Sequence, residues 1–270
     1  MWQKRVLLIQ VRDRGDVMAE HELACVVRRL EGRGDVDVKA RNALTEPADR
    51  SWLDGYDAVI FGGSGDYSVH HSASQPWVSH LRHTLDAILE RKLPGFGICF
   101  GHQLLGMHLG ATVVTDENFA EVGTVPVELT HHGGTDTVFS ALERQFVAQT
   151  GHSDHVTTVP PGCVLLASNE TLETQAFRVL DAPFYSTQFH PDLTAFEAVS
   201  RYTAYQQALS GSVPDPARVE RFRVGVDATA HLLRRFLDQA VTEPGAESST
   251  LNGADSDQVV YRSTTTVSDQ

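Results

Sequence analysis

The first hundred residues alternate short, unbroken apolar runs with stretches in which apolar residues recur every three or four positions. Arg5–Val11 contains Val6-Leu7-Leu8-Ile9 without a polar interruption, which predicts a strand buried on both faces. Glu20–Leu30 carries Leu23, Val26, Val27 and Leu30 at helical spacing. Val36–Ala40 and Ala58–Phe61 predict two further strands, the second running into Gly62-Gly63. Pro76 is tolerated in the first turn of a helix, and Val78, Leu81, Leu85, Ile88 and Leu89 continue that helix's apolar face. Pro94 stops it, and Gly95–Ile98 begins another strand. This alternation predicts an α/β fold: a doubly wound, mostly parallel sheet with flanking helices.

After Ala111 the pattern changes. Thr124–Thr130, Gln145–Gln149, Val164–Asn169, Gln175–Val179 and Phe184–Gln188 read as strands separated by Gly, Pro and Asp, and they are expected to include antiparallel additions to the sheet edge. Two helices are expected over Ala195–Leu209 and Ala217–Ala240. From Thr242 onward, Gly, Ser, Thr, Asp and Pro dominate and large apolar residues nearly vanish. One domain is therefore expected over residues 1–241 and a disordered tail over 242–270.

Composition narrows the partners. The 22 basic and 35 acidic residues leave a formal charge of −13, a surface that repels phosphate backbones and anionic headgroups. Neither nucleic acid nor membrane is expected to bind, and no apolar run reaches the roughly 18–20 residues needed to span a bilayer. The start, Met1-Trp2-Gln3-Lys4-Arg5, runs into an apolar stretch too short for a secretory signal. Three cysteines, Cys25, Cys99 and Cys163, are an odd number, so free thiols in a reduced cytoplasmic compartment are expected.

Of these thiols, Cys99 has the most informative surroundings: Gly97-Ile98-Cys99-Phe100-Gly101 lies between a predicted strand and a predicted helix. The flanking glycines permit a turn so tight that the central side chain projects from the carboxyl edge of the sheet, the thiol version of a nucleophile elbow. At a helix N-terminus, unpaired amides and the macrodipole favour thiolate over thiol. The competing reading is a buried structural cysteine beside packing glycines.

A thiolate needs a proton carrier. Most of the 13 histidines have plain explanations: His70, His71, His80 and His83 fit a solvated helix and the loop leading into it, His131 and His132 fit a loop, and none has a metal-ligand spacing. His190 differs, because it follows the apolar strand at 184–189 and is itself followed by Pro191-Asp192. Cys99, His190 and Asp192 then form a nucleophile, a base and a residue to orient it. The turn Gly62-Gly63-Ser64-Gly65 lacks the lysine and spacing of a nucleotide loop. Its better use is an oxyanion hole in which the Gly63 amide joins that of Phe100.

Together these segments resemble the class I glutamine amidotransferase family, in which a Gly-x-Cys-x-Gly elbow is paired with His-Pro-Glu. The resemblance runs from about Val6 to the His190 region. Gly151-His152-Ser153-Asp154-His155-Val156 and Gln175-Ala176-Phe177-Arg178 are similar to stretches of the GMP-synthase-like branch. It implies that Gln103, Ser153 and Asp154 contact the amino-acid end of the substrate. It also implies a substrate that is glutamine or a γ-glutamyl small molecule, attacked through a Cys thioester without metal or organic cofactor. The ammonia would go to a separate synthetase, because no segment resembles an ATP-using domain. Two alternatives use the same residues: a stand-alone γ-glutamyl peptidase, and a non-catalytic binding or regulatory protein of the same fold. Asp192 departs from the family's glutamate by one methylene, which puts the orientation of His190 in question.

Overall fold

The computed structural model describes residues 2–31, 34–211, 213–223, 225 and 227–243. Eleven strands and seven α-helices are assigned within them. In chain order they are β1 (Lys4–Gln10), α1 (Met18–Leu30), β2 (Val36–Asn42), β3 (Ala58–Phe61), α2 (Gln75–Glu90), β4 (Gly95–Ile98) and α3 (Phe100–His108). There follow β5 (Val113–Thr115), β6 (Glu121–Leu129), α4 (His131–Thr135), β7 (Gln145–His152), β8 (Asp154–Val156), β9 (Cys163–Ser168), β10 (Ala176–Val179) and β11 (Phe184–Thr187). The last helices are α5 (Ala195–Ser210), α6 (Pro216–Val219) and α7 (Leu232–Ala240).

Nine strands form one sheet in the order β2-β1-β3-β4-β11-β10-β9-β6-β7. The first five are mutually parallel, and the remaining four join antiparallel at one side. The expected doubly wound sheet with an antiparallel extension is therefore present. In β1, Val6 and Leu8 face α1 and α7, where Val26, Leu30, Leu233 and Phe236 are buried. Leu7 and Ile9 face the opposite layer, with Leu81 and Leu85 of α2 and Leu104 and Leu105 of α3. Burial on both faces explains why this strand has no alternating pattern.

Chain order reverses around β1, because β2 lies on one side of it and β3 on the other. In open α/β sheets the carboxyl ends of the strands at such a point form a crevice. Here those ends deliver Arg12 after β1, Gly62 and Gly63 after β3, Cys99 after β4 and His190 after β11. A capping box at Thr194 and Glu197 then starts α5 immediately beyond Asp192 and directs that helix back across the crevice.

Two expectations are corrected, and one pair of strands was not foreseen. The single helix over Ala217–Ala240 is two, α6 and α7, separated by a segment that pairs sideways with β6. Thr124 N–H donates to Arg221 O at 3.0 Å and Arg223 N–H donates to Thr124 Oγ1 at 2.8 Å, so this backbone is committed elsewhere than to helical bonds. Gly225, at φ +94°, and the ion pair of Asp227 with Arg29 hold the break. His131 and His132 open the short helix α4, capped by Thr130, instead of lying in a loop. Strands β5 and β8, three residues each, pair antiparallel outside the main sheet and are too short to show alternation. The expected tail lies outside the described residues, apart from its first two positions. Among the described residues, no helix is long and apolar enough to cross a membrane.

The turn between β4 and α3 has no spare volume. A Cβ on Gly97 would sit 2.6 Å from the backbone of Gly101, and one on Gly101 would sit 2.7 Å from Phe61 O. Gly97→Ala is therefore expected to destabilise the protein by at least about 2 kcal/mol, read as a lowered midpoint in denaturant unfolding. An unchanged midpoint would show that strand and helix can separate without cost.

Candidate active site

Cys99 caps α3 with φ +51° and ψ −97°, a left-handed conformation that L side chains rarely adopt. Its N–H donates to Thr187 O of the neighbouring β11 at 2.8 Å, so the sheet itself fixes the turn. Three residues beyond β11, His190 is buried and its N–H donates to Gln149 O at 2.8 Å. His190 Nδ1 lies 3.0 Å from Asp192 Oδ1, and the imidazole lines the same cleft as Cys99. Sulfur and imidazole thus share one cleft, with the carboxylate on the ring's Nδ1. The shorter acid still reaches the ring, because its backbone is drawn in by Arg28 and Arg29, whose guanidinium groups donate to Asp192 O.

Burial opposes protonation of His190, but the Asp192 carboxylate, and after it the hydrogen bonds to Asp192 and Cys99, raise its pKa to about 9. Asp192 is itself buried, yet His190 and Arg201 hold its carboxyl well below the usual carboxylate range. Arg201 donates from Nη2 to Asp192 Oδ2 at 3.3 Å. Although burial disfavours its charge, Asp192 and Glu22 keep the guanidinium firmly protonated. His190 and Asp192 therefore belong to an ionic set whose partners compensate one another.

Gln188 donates from Nε2 to Cys99 Sγ at 3.6 Å. Its orientation is set by Gln103, whose Nε2 donates to Gln188 Oε1 at 3.3 Å and to Asp154 O at 2.8 Å. Because Gln188's oxygen is occupied by a donor, its NH2 group must face the sulfur.

The cleft beside Cys99 encloses about 320 Å3 and is lined by Arg12, Gly63, Ser153, His190, Arg201 and Tyr205 among others. Ser153 is thus placed at the cleft together with Gly151 and His152, which complete β7. Gln103 and Asp154 are not on its wall. The Asp154 carboxylate accepts from Ser68 Oγ and from Thr115 Oγ1, tying the loop after β3 to β5. His152 is fixed by Glu121, with Nε2 3.1 Å from Oε2.

The Gly63 amide departs from the oxyanion-hole expectation. Its N–H donates to Glu22 Oε1 at 3.0 Å. Glu22 comes from α1, is 1% exposed, and also accepts from Gln10 and from Nε and Nη2 of Arg12. Burial opposes its ionisation, but Arg12 and Arg201 hold its carboxyl below the ordinary value. Gly62 must be glycine here, since a Cβ would lie 2.5 Å from Glu22 Oε1. Phe100 occupies the first position of α3, where N–H groups have no partner within the helix. No group of three or more His, Cys, Asp or Glu residues suited to a metal ion occurs among the described residues.

A thiol on a strand–helix elbow, in one cleft with a buried imidazole and its carboxylate at the carboxyl edge of a parallel sheet, defines a cysteine-nucleophile amidohydrolase of the α/β class. The family model for glutamine amidotransferase class-I matches residues 23–204, about two thirds of the chain, and the chain belongs to that family. Among its relatives, the glutamine-hydrolysing GMP synthase subunit of Sulfurisphaera tokodaii is 35% identical over 141 residues, 52% of this chain and 70% of that protein. The corresponding protein of Thermoplasma acidophilum is 29% identical over 188 residues, covering 70% of this chain and 85% of that one. A crystal structure of a glutamine amidotransferase from Thermotoga maritima shares the fold, with a TM-score of 0.70 at 23% identity over 90% of this chain and 100% of the other.

Two substitutions test the electrostatics. In Asp192→Asn the counter-charge is lost and burial prevails, so the His190 titration, followed by histidine NMR, is expected to fall from about 9 to below 6.5. A titration still near 9 would mean that Asp192 does not hold the imidazolium. Gln188→Met removes the donor facing the sulfur while keeping its bulk. Alkylation of Cys99 by iodoacetamide at neutral pH is expected to slow roughly threefold to tenfold, and an unchanged rate would show the 3.6 Å contact to be incidental.

Proposed function

We propose that this protein hydrolyses the γ-carboxamide of glutamine to glutamate and ammonia and delivers the ammonia to a separate synthetase. The observation that carries the reading is the meeting of Cys99 and His190 in one cleft at the edge of the sheet, with Asp192 on the imidazole. Family membership supports it, and so do relatives whose names describe glutamine-hydrolysing subunits. A cytoplasmic setting accords with three free thiols.

In this mechanism the Cys99 thiolate attacks the amide carbon and forms the C–S bond. His190, protonated between the carboxylate and the sulfur, gives its proton to the nitrogen as the C–N bond breaks, and ammonia departs. The imidazole then takes a proton from water, which attacks the γ-glutamyl thioester. The C–S bond breaks, the acid leaves and loses its proton to solvent as glutamate, and the proton taken from water stays on the imidazole beside the restored thiolate. Phe100 N–H is the proposed oxyanion donor. Gly63 can join it only after its amide leaves Glu22, which makes that hydrogen bond a point of control over turnover. Ser153 is the proposed contact for the amino-acid end of the substrate, while Gln103 acts through Gln188 and the Asp154 carbonyl.

A glutamine-mimicking electrophile is expected to modify Cys99 alone, because burial pushes the thiols of Cys25 and Cys163 up to about 12. Glutamate release from glutamine, measured with and without a co-purified synthetase, is expected to disappear in Cys99→Ala. Label shared among the three cysteines, or release that survives in Cys99→Ala, would remove Cys99 as nucleophile.

A further inference from the structure

Arg201 reaches the His190–Asp192 pair from α5, and its two terminal nitrogens make unlike contacts there. Nη2 donates to Asp192 Oδ2 at 3.3 Å, whereas Nη1 stands 3.4 Å from His190 Nδ1. That ring nitrogen already lies 3.0 Å from Asp192 Oδ1. An ionised carboxylate only accepts hydrogen bonds and a guanidinium only donates them. Nδ1 therefore meets opposite demands. Carrying a proton, it bonds to Asp192 and faces Arg201 as a second donor. Without one, it accepts from Arg201 and turns a lone pair on the carboxylate. The shorter contact and the ionised Asp192 decide for the protonated form. Arg201 is then a cation set against the imidazolium, and all three residues are buried.

The other charged and titratable groups around the ring act from further away or on other atoms. Cys99 shares the cleft from the start of α3, and His152 of β7 lines it but is held by Glu121. On the Gly63 side, Glu22 takes up the amide and is itself paired with Arg12. From α1, Arg28 and Arg29 donate to the Asp192 carbonyl and not to its carboxylate, while His21 and Cys25 feel the charges of Asp192 and Arg201. Of all these groups, Arg201 alone contacts both the imidazole and its carboxylate. Asp192 thus divides its two oxygens between two cations, and neither receives the whole stabilisation that the carboxylate offers. Arg201 Nε has no hydrogen-bond partner, so no bond on that edge competes for the guanidinium.

We propose that Arg201 is a positioning residue that limits how tightly His190 keeps its proton: it grips the second oxygen of Asp192 and sets a positive charge against the ring. The imidazole is then neutral often enough to activate water on the γ-glutamyl thioester. This rests on the mechanism proposed above, in which one ring gives a proton to ammonia and later takes one from water. Both transfers use the ring nitrogen remote from Asp192, and the proton on Nδ1 stays with the carboxylate throughout.

The test uses the full chain with Arg201→Gln, which removes the charge, and Arg201→Lys, which keeps a charge for Asp192 but has no second arm for His190. Followed by histidine NMR, the His190 titration is expected to move upward from about 9 by roughly one pH unit in Arg201→Gln and by less in Arg201→Lys. Below its titration, each such unit makes the neutral ring about tenfold scarcer. At pH 7, kcat for glutamine is therefore expected to fall roughly tenfold in Arg201→Gln, and the deficit to narrow to under about threefold at pH 10. The accompanying fall in kcat/KM, which reports attack by the thiolate, is expected to stay under about threefold. A titration that is unmoved or lowered in Arg201→Gln overturns the proposal, because loss of a mere anchor loosens Asp192 and lowers it. Should that variant not fold, the same result in Arg201→Lys does so. A kcat deficit equal at both pH values also overturns it. A wild type that releases no glutamate from glutamine, alone or with a co-purified synthetase, instead removes the proposed reaction, and the titrations still decide what Arg201 does to His190.

Discussion

Everything at the active edge depends on how closely β4, α3 and the end of β3 approach one another. That approach is possible only because positions 97 and 101 carry no side chain, with Gly97 against the Gly101 backbone and Gly101 against Phe61. It aims Cys99 outward at φ +51° and allows its amide to bond to β11, so the strand bearing the thiol and the strand leading to His190 are locked in register. One steric constraint thereby sets the distance between two groups that are 91 residues apart in the chain. The protein does not need flexible loops to bring sulfur and imidazole together.

Around that frame the site alternates buried cations and anions. Asp192 serves His190 and Arg201, and Glu22 serves Arg12, Gln10 and the Gly63 amide. Removing either carboxylate leaves an arginine charged and buried without its counter-charge, the costly situation in low dielectric. The aspartate in place of the family's glutamate fits this arrangement. It is shorter, but the two arginines of α1 hold its backbone, and Arg201 takes up its second oxygen.

Much of the fold is legible in local pattern. Ala58–Phe61 and Gly95–Ile98 have the same bounds in sequence and structure, because Gly and Pro punctuate short apolar runs. The break between α6 and α7 is not legible. It arises from hydrogen bonds to Thr124, roughly a hundred residues earlier, which no local window contains. At the site, Cys99, His190 and Asp192 stand out because two glycines and a strand end announce them in sequence. Arg12 and Arg201 do not, since their surroundings come from other elements, although a charged residue two positions after the buried β1 is a signal the switch-point rule could have used. The direction of the Gly63 N–H is likewise beyond sequence, for it depends on a carboxylate from α1.

The backbone at Cys99 carries a wider consequence. A left-handed non-glycine residue is held against a penalty on the order of 1–3 kcal/mol, and glycine would sit there at ease. Among the described residues only Lys92 shares such a positive φ, and of the two strained positions one carries the sulfur at the site. Laboratory evolution for heat resistance alone, with no demand for turnover, would press on this residue early. The protein's tolerance to heat and its capacity for chemistry are set against each other at a single backbone angle.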